Sequence, residues 1–291
     1  MQTQTATISR PTVKPWVKAA VVVTYVAMIT VNALANALPI NGRDTGEISD
    51  SYPNLFAPAG LTFSIWGVIY FLLGAHVLYQ LGLFRDSGQD GSVRGTDGRV
   101  RDAARVSLLE RVGVLFSLSS LANLAWVLCW HYDFIGASAV LLVTMLVLLI
   151  LITRTILAAD LTRRELLFVR LPFSVYFGWI TVATIANLTV WLVSIGWDGF
   201  GVAESTWAMV ILAVGATIGT TVILRDRDIA YGLVLVWAYL GIWIKHTSAA
   251  GFNGAYPAVE ITALASIAVF LFAVATVALR RRVPSPAAAR S

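Results

Sequence analysis

The sequence predicts an all-α integral membrane protein with eight transmembrane helices, and three observations carry that prediction. First, apolar stretches recur at 19–38, 61–84, 112–130, 134–153, 171–193, 206–224, 229–244 and 261–279 of the 291 residues. A helix needs ~20 apolar residues to cross the hydrocarbon core, and most of these reach that length. Second, charged residues make up only 13 % of the chain and hydrophobic ones 58 %, whereas soluble domains carry roughly a quarter charged. Third, with the N-terminus inside, every Lys and Arg except Arg43 and Lys245 falls in a tail or on the cytoplasmic side. This positive-inside bias places both termini in the cytoplasm of a multi-pass protein of the cell membrane.

Residues 1–18 form a basic tail with Arg10, Lys14 and Lys18. The first span is too long for a signal-peptide core and lacks a following small-residue cleavage site, so it is expected to stay in the mature chain. Asn32 and Asn36 share one of its faces. Residues 39–60 (PINGRDTGEISDSYPNLFAPAG) are the longest outer connection. They combine the turn makers Asn41-Gly42, Pro53 and Pro58 with Arg43, Asp44, Glu47, Asp50 and Tyr52, and read equally as a solvated connector or a lid. The second span aligns Phe63, Trp66 and Tyr70 at helical spacing. It also holds His76, the one side chain able to titrate at depth, read here as a hydrogen-bonded packing residue.

Residues 85–111, rich in Gly, Arg and Asp, read as a mobile linker without a phosphate-binding motif. The third span places Asn123, Trp126 and Trp130 on one face. It contains Cys129, the single cysteine, which excludes an intramolecular disulfide. The fifth span aligns Trp179, Ala183, Asn187 and Trp191. Gly215 and Gly219 in the sixth form a GxxxG pair that admits either internal packing or a homodimer contact. The seventh span is the shortest, but without it Arg280, Arg281 and Arg282 would lie outside. Lys245 at its end is expected to snorkel, while Tyr239 and Trp243 either extend an aromatic wall or face lipid.

Several function classes drop out. The pI near 9.6 reflects basic loops, so topology explains it without a nucleic-acid partner. The span cores hold no Asp, Glu, Lys or Arg, which argues against a proton-coupled transporter or a redox pump. No acid–base or metal constellation supports conventional catalysis, so neither an enzyme nor a required cofactor is expected.

What the spans do hold is Asn and Trp. At ~1.5 Å rise per residue, Trp66, Trp126, Asn123, Asn187, Asn32 and Asn36 lie within roughly 12 Å of the outer ends of their helices, with Trp179 nearer the middle. Asn can join membrane helices by hydrogen bonds of ~0.6–2 kcal/mol. Trp at helix ends anchors the interface, which is the reading for Trp130, Trp197 and Trp207. Trp66, Trp126 and Trp179 are too deep for anchoring alone. Aromatic walls with a few amides suit a planar apolar ligand.

The same residues resemble the tryptophan-rich sensory protein / translocator protein family. Its approach to the second helix and the motif that follows match Phe56-Ala57-Pro58-Ala59-Gly60, Phe63 and Trp66-Gly67-Val68-Ile69-Tyr70. Its third-helix motif matches Ala122-Asn123-Leu124-Ala125-Trp126, and its fifth-helix motif the run from Val175-Tyr176 through Trp179, Ala183 and Thr184 to Asn187, then Trp191. Ala59 and Val175 replace prolines of the family pattern, Ser119 replaces a Gln, and the stretch from Gly60 to Trp66 is one residue short. The resemblance covers about 17–197. It implies a five-helix ligand-binding bundle at 19–197, to which 198–291 adds three helices and a basic tail.

It further implies a pocket for tetrapyrroles and sterol-like or benzodiazepine-like molecules, covered by the first inter-helix loop. Trp66, Tyr70, Asn123, Trp126, Trp179 and Asn187 are then expected to wall it, with Ala183 leaving space. Arg43, Asp44, Tyr52 and Phe56 would belong to the lid. The expected function is a receptor, sensor or translocator for a planar, porphyrin-like ligand, whose partners are the bilayer and that small molecule. Trp179→Phe and Asn123→Ala are both expected to weaken binding more than folded yield. Two rivals are a secondary permease, for which inverted repeats and broken helices are lacking, and a light-dependent porphyrin-modifying protein using Trp66 or Trp179, which rests on analogy.

Overall fold

A computed structural model describes residues 12–38, 40–84 and 96–282, with side chains placed for all of these but 96–99 and 281–282. Arg10, the first part of the expected linker (85–95) and the end of the basic tail (283–291) lie outside the described residues. Among those described, eight helices are long and apolar enough to cross a membrane and no strand occurs. Large apolar side chains such as Phe71 and Phe272 cover the outside of the bundle, as a lipid environment requires. The chain is an all-α, multi-pass membrane protein.

The spanning helices are α1 (Pro15–Ala37), α3 (Ile65–Leu81), α4 (Thr96–His131), α5 (Ile135–Leu157), α7 (Leu171–Ser194), α8 (Glu204–Asp226), α9 (Ile229–Thr247) and α10 (Pro257–Arg282), with short helices α2 (Thr45–Asp50) and α6 (Arg163–Glu165) between them. A 3₁₀ turn over Gly60–Ser64 leads into α3. The third span begins earlier than hydropathy suggests, because 96–111 is helical rather than linker. Leu108, Leu109 and Val112 are buried there, and Arg105 pairs with Glu165 at 2.7 Å and bonds the Tyr79 hydroxyl at 2.6 Å. Those contacts hold a helix whose polar composition reads as loop.

Helix α7 is the centre of the molecule. Every residue from Pro172 to Val182 is buried, and the helix touches α3, α5 and α9. A π-turn at Leu166–Arg170 precedes it. Pro172 has no N–H to offer the carbonyl four residues back, and that carbonyl, on Phe168, accepts from His76 Nδ1 at 2.9 Å. His76 is the hydrogen-bonded packing residue expected, edge-on to Phe116 and Phe173.

Around α7, α1 packs on α4, α4 on α5, and α10 on both α8 and α9. The GxxxG pair works inside the molecule: Gly215 lies under the Tyr239 hydroxyl, and Gly219 under Leu235 and Phe270. Tyr239 is buried and donates to Leu212 O at 2.9 Å. At the arginine-rich end, buried Asp226 accepts two bonds from Arg154, at 3.0 and 2.8 Å. Arg170 donates to the Asp226 carbonyl at 2.8 Å. Asp228 caps α9 and accepts from Ser174 of α7. These bonds tie the last three helices to the first five.

Candidate functional site

At the opposite end, residues 40–60 fold over the bundle. The turn at Asn41-Gly42 forms with both residues at positive φ, 59° and 76°. Asp44 and Glu47 then start α2 with a reciprocal capping box, satisfying backbone N–H groups that a six-residue helix cannot satisfy itself. His131 holds one side of this loop, bonding the Ile40 carbonyl at 3.2 Å. His246 holds the other, donating to Leu55 O at 2.9 Å. Arg43 forms an ion pair with Asp133, to which Tyr52 also donates at 3.1 Å. Desolvation raises the Tyr52 hydroxyl pKa above its ordinary value, and the bond to the Asp133 carboxylate raises it further.

Beneath the loop, α3, α4, α5 and α7 border a small cavity of about 40 Å³. Its wall includes Thr45 and Ser49 from the loop helix, Phe63 and Trp66, Trp126 and Trp130, and Trp179, Ala183 and Asn187. The rings touch one another. Trp66 lies 5.7 Å from Trp126 and 6.1 Å from Trp179, and Phe63 meets Trp179 edge-on at 5.9 Å.

The polar atoms of this wall are unusual. Trp126 Nε1, Trp179 Nε1 and Asn187 Nδ2 are buried and have no hydrogen-bond partner among the described residues. Their residues are only 4 %, 2 % and 3 % exposed. The Asn187 oxygen is used, accepting from Ser138 at 3.1 Å. A buried, unpaired donor costs about 1–3 kcal/mol, so three on one cavity constitute a demand for an acceptor. About 40 Å³ admits only a few waters at most.

Five of the seven expected wall residues therefore line the cavity: Trp66, Trp126, Trp179, Ala183 and Asn187. Tyr70 and Asn123 stand behind it. Tyr70 stacks on Trp66 with ring centroids 5.4 Å apart. Asn123 accepts from Asn32 at 2.8 Å and donates to the Tyr176 hydroxyl at 3.1 Å, joining α1, α4 and α7. Of the lid residues, Asp44 faces an outer groove. Phe56 is buried elsewhere, edge-on to Tyr239 at 6.5 Å.

Two sequence expectations need correction. Trp130 is no interfacial anchor: it is buried in the cavity wall and donates to Thr45 O at 3.1 Å. Its i+4 relation to Trp126 already placed it on that face. Lys245 does not merely snorkel, since its Nζ lies 2.8 Å from Asp50 Oδ1. Thr45 and Ser49 line the cavity without any sequence signal pointing to them individually, and Pro58 of the motif before the second span lines it too.

Above the cavity lies an open groove of about 480 Å³ bordered by Asn36, Asp44, Glu47 and Asp50. It shares Thr45, Phe63 and Trp66 with the cavity below. Those three side chains border both spaces, so the groove and the cavity adjoin. Among the described residues no group of three or more His, Cys, Asp or Glu is placed to hold a metal.

The sequence model of a family described as TSPO-like protein matches residues 18–276, a stretch that runs through all eight helices into α10. No curated protein and no solved structure gives a significant match.

Proposed function

This chain belongs to the TSPO-like protein family, and from that premise we propose that it is a membrane receptor or sensor for a planar hydrophobic ligand of porphyrin-like shape. The ligand stacks on the indoles of Trp66, Trp126 and Trp179 and presents an acceptor to their unpaired N–H groups and to Asn187. One observation carries the reading: three buried donors without partners line a single aromatic cavity. Most buried polar side-chain atoms in proteins are paired, and it is the convergence of three unpaired N–H donors on one cavity that supports the reading.

Pockets for drug-sized ligands occupy ~300–1,000 Å³, far more than the about 40 Å³ found here. The ligand therefore enters by way of the groove, and Phe63 and Trp66 move aside to join the two spaces. The distribution of Lys and Arg supports an orientation with this mouth outward and both termini in the cytoplasm. No cofactor is needed for this role.

The test is saturable quenching of tryptophan fluorescence in the purified, detergent-solubilised chain by protoporphyrin IX or its dimethyl ester. Saturation that weakens in Trp179→Phe, with folded yield kept, supports the site. Unsaturable quenching by both probes, equal in the variant, is membrane partitioning and rejects it.

A further inference from the structure

We propose that the mouth of this site selects its ligand by charge, favouring neutral or cationic planar molecules and disfavouring anionic ones such as a free tetrapyrrole dicarboxylate. The inference rests on the reading above and narrows it. Three carboxylates, Asp44, Glu47 and Asp50, border the groove, and no Lys or Arg does. Arg43 is paired with Asp133 and Lys245 with Asp50. Among the described residues, Asp44 and Glu47 form no ion pair.

Those two carboxylates are also fixed in place. Asp44 Oδ1 accepts from Gly46 N at 2.7 Å and Glu47 N at 2.8 Å, and Glu47 Oε2 accepts from Asp44 N at 2.8 Å. Neither side chain can swing from the mouth without breaking the cap that starts α2. The negative potential is part of the local fold.

The interior adds an independent constraint. The cavity wall contains no cation, and its unpaired polar groups are neutral N–H donors on side chains more than nine-tenths buried. Such donors satisfy a carbonyl or a ring nitrogen. A carboxylate placed there would lose its hydration without gaining a counter-ion, a penalty that neutral donors do not offset. An anionic substituent thus finds no cation inside, and a mouth whose three carboxylates outnumber its one paired lysine. The fields of exposed carboxylates are screened by salt over ~10 Å at 0.1 M, so the selectivity should be greatest at low ionic strength.

The experiment compares protoporphyrin IX with its dimethyl ester, one ring system with and without two negative charges. Both are titrated against the full chain and against Glu47→Gln, which removes one unpaired carboxylate and leaves Lys245 on Asp50. The glutamine keeps an oxygen for the Asp44 N–H, and thermal melts verify that the variant folds. We expect the ester to bind about tenfold tighter at low salt, which corresponds to about 1.4 kcal/mol. The gap should shrink toward unity in the variant and at high salt. Because detergent partitioning of the ester is the same for both proteins, the change in the gap is the deciding quantity. Equal affinities, tighter binding of the diacid, or a gap untouched by Glu47→Gln would overturn the charge selection while leaving the pocket intact. Absence of saturable quenching by either probe would instead remove the planar-ligand reading, and this inference with it.

Discussion

Lys245 of α9 reaches Asp50 in the loop helix, Nζ to Oδ1 2.8 Å, across a sequence separation of 195 residues. With His246 bonded to the Leu55 carbonyl beside it, the seventh span fastens the cover of the aromatic cavity. Exposed ion pairs contribute ~0–1 kcal/mol, so Lys245→Met should leave the melting temperature nearly unchanged. It should nonetheless loosen the cover. Hydrogen exchange of amides in 45–52 is expected to accelerate in the variant, and exchange identical to wild type would show that the pair does not restrain the loop.

Gly241 is required by a close approach. A Cβ there would collide with the Thr62 side chain, lying 2.7 Å from its Cγ2 and 2.9 Å from its Cβ, while the Gly241 carbonyl accepts from Ala59 N at 3.0 Å. Gly241→Val should destabilise the fold by ~1–3 kcal/mol, the usual range for overpacking. Adding Thr62→Ala should restore part of that loss, because residues in contact couple. A thermal-melt cycle of the two single variants and the double gives the coupling, and simple additivity would contradict the contact.

Asn123 and Trp179 should separate stability from binding. Asn123→Ala breaks the Asn32–Asn123–Tyr176 chain and should cost ~0.6–2 kcal/mol of stability, with a smaller effect on ligand affinity. This reverses the expectation drawn from sequence for that residue. Trp179→Phe removes a donor that has no partner. It should change stability by no more than ~1 kcal/mol, because deleting an unpaired group forfeits no hydrogen bond, yet weaken binding several-fold through the lost bond to ligand. Melting temperatures and quenching titrations on the same samples decide it; a stability loss larger in Trp179→Phe than in Asn123→Ala would mean the indole N–H is paired in the membrane.

Asp226 anchors the other end. Its side chain is 2 % exposed and takes both bonds of the Arg154 guanidinium. Removing one member of a buried ion pair costs ~3–5 kcal/mol, but Arg154 is itself 39 % exposed, so Asp226→Ala should fall toward the lower end of that range. Arg154→Ala should cost less than Asp226→Ala, since Arg225 also contacts this carboxylate at 3.1 Å. Equal losses in the two variants, measured by thermal melts, would argue against a shared anchor.

The helix count was legible because a bilayer leaves a chain few ways to satisfy its backbone, so apolar length and the placement of Arg and Lys almost determine it. Trp66, Trp126 and Trp179 were legible as a cluster because their depth and spacing put them on facing helices. The bonds of Asn123 to Asn32 and Tyr176 were not legible, for a physical reason. Spacing of three or four residues identifies a face, but the rotation of that face toward Asn32 and Tyr176 is set by packing between helices. The early start of α4 was hidden in a similar way, since Arg105 is helical by virtue of Glu165 and Tyr79, neither of them near in sequence. The cation-free wall and the unpaired N–H groups are properties of neighbours, and no run of residues spells them out.

The fastening of 40–64 by α9 also bears on the order of assembly. During synthesis the first five spanning helices enter the membrane before α9 has been made. Until then the Ala59 N–H, the Thr62 carbonyl and the Leu55 carbonyl await Gly241, Trp237 and His246. The roof over the aromatic cavity is completed among the last events of biogenesis, and a nascent chain halted after α7 would have its walls in place and its roof still unfastened.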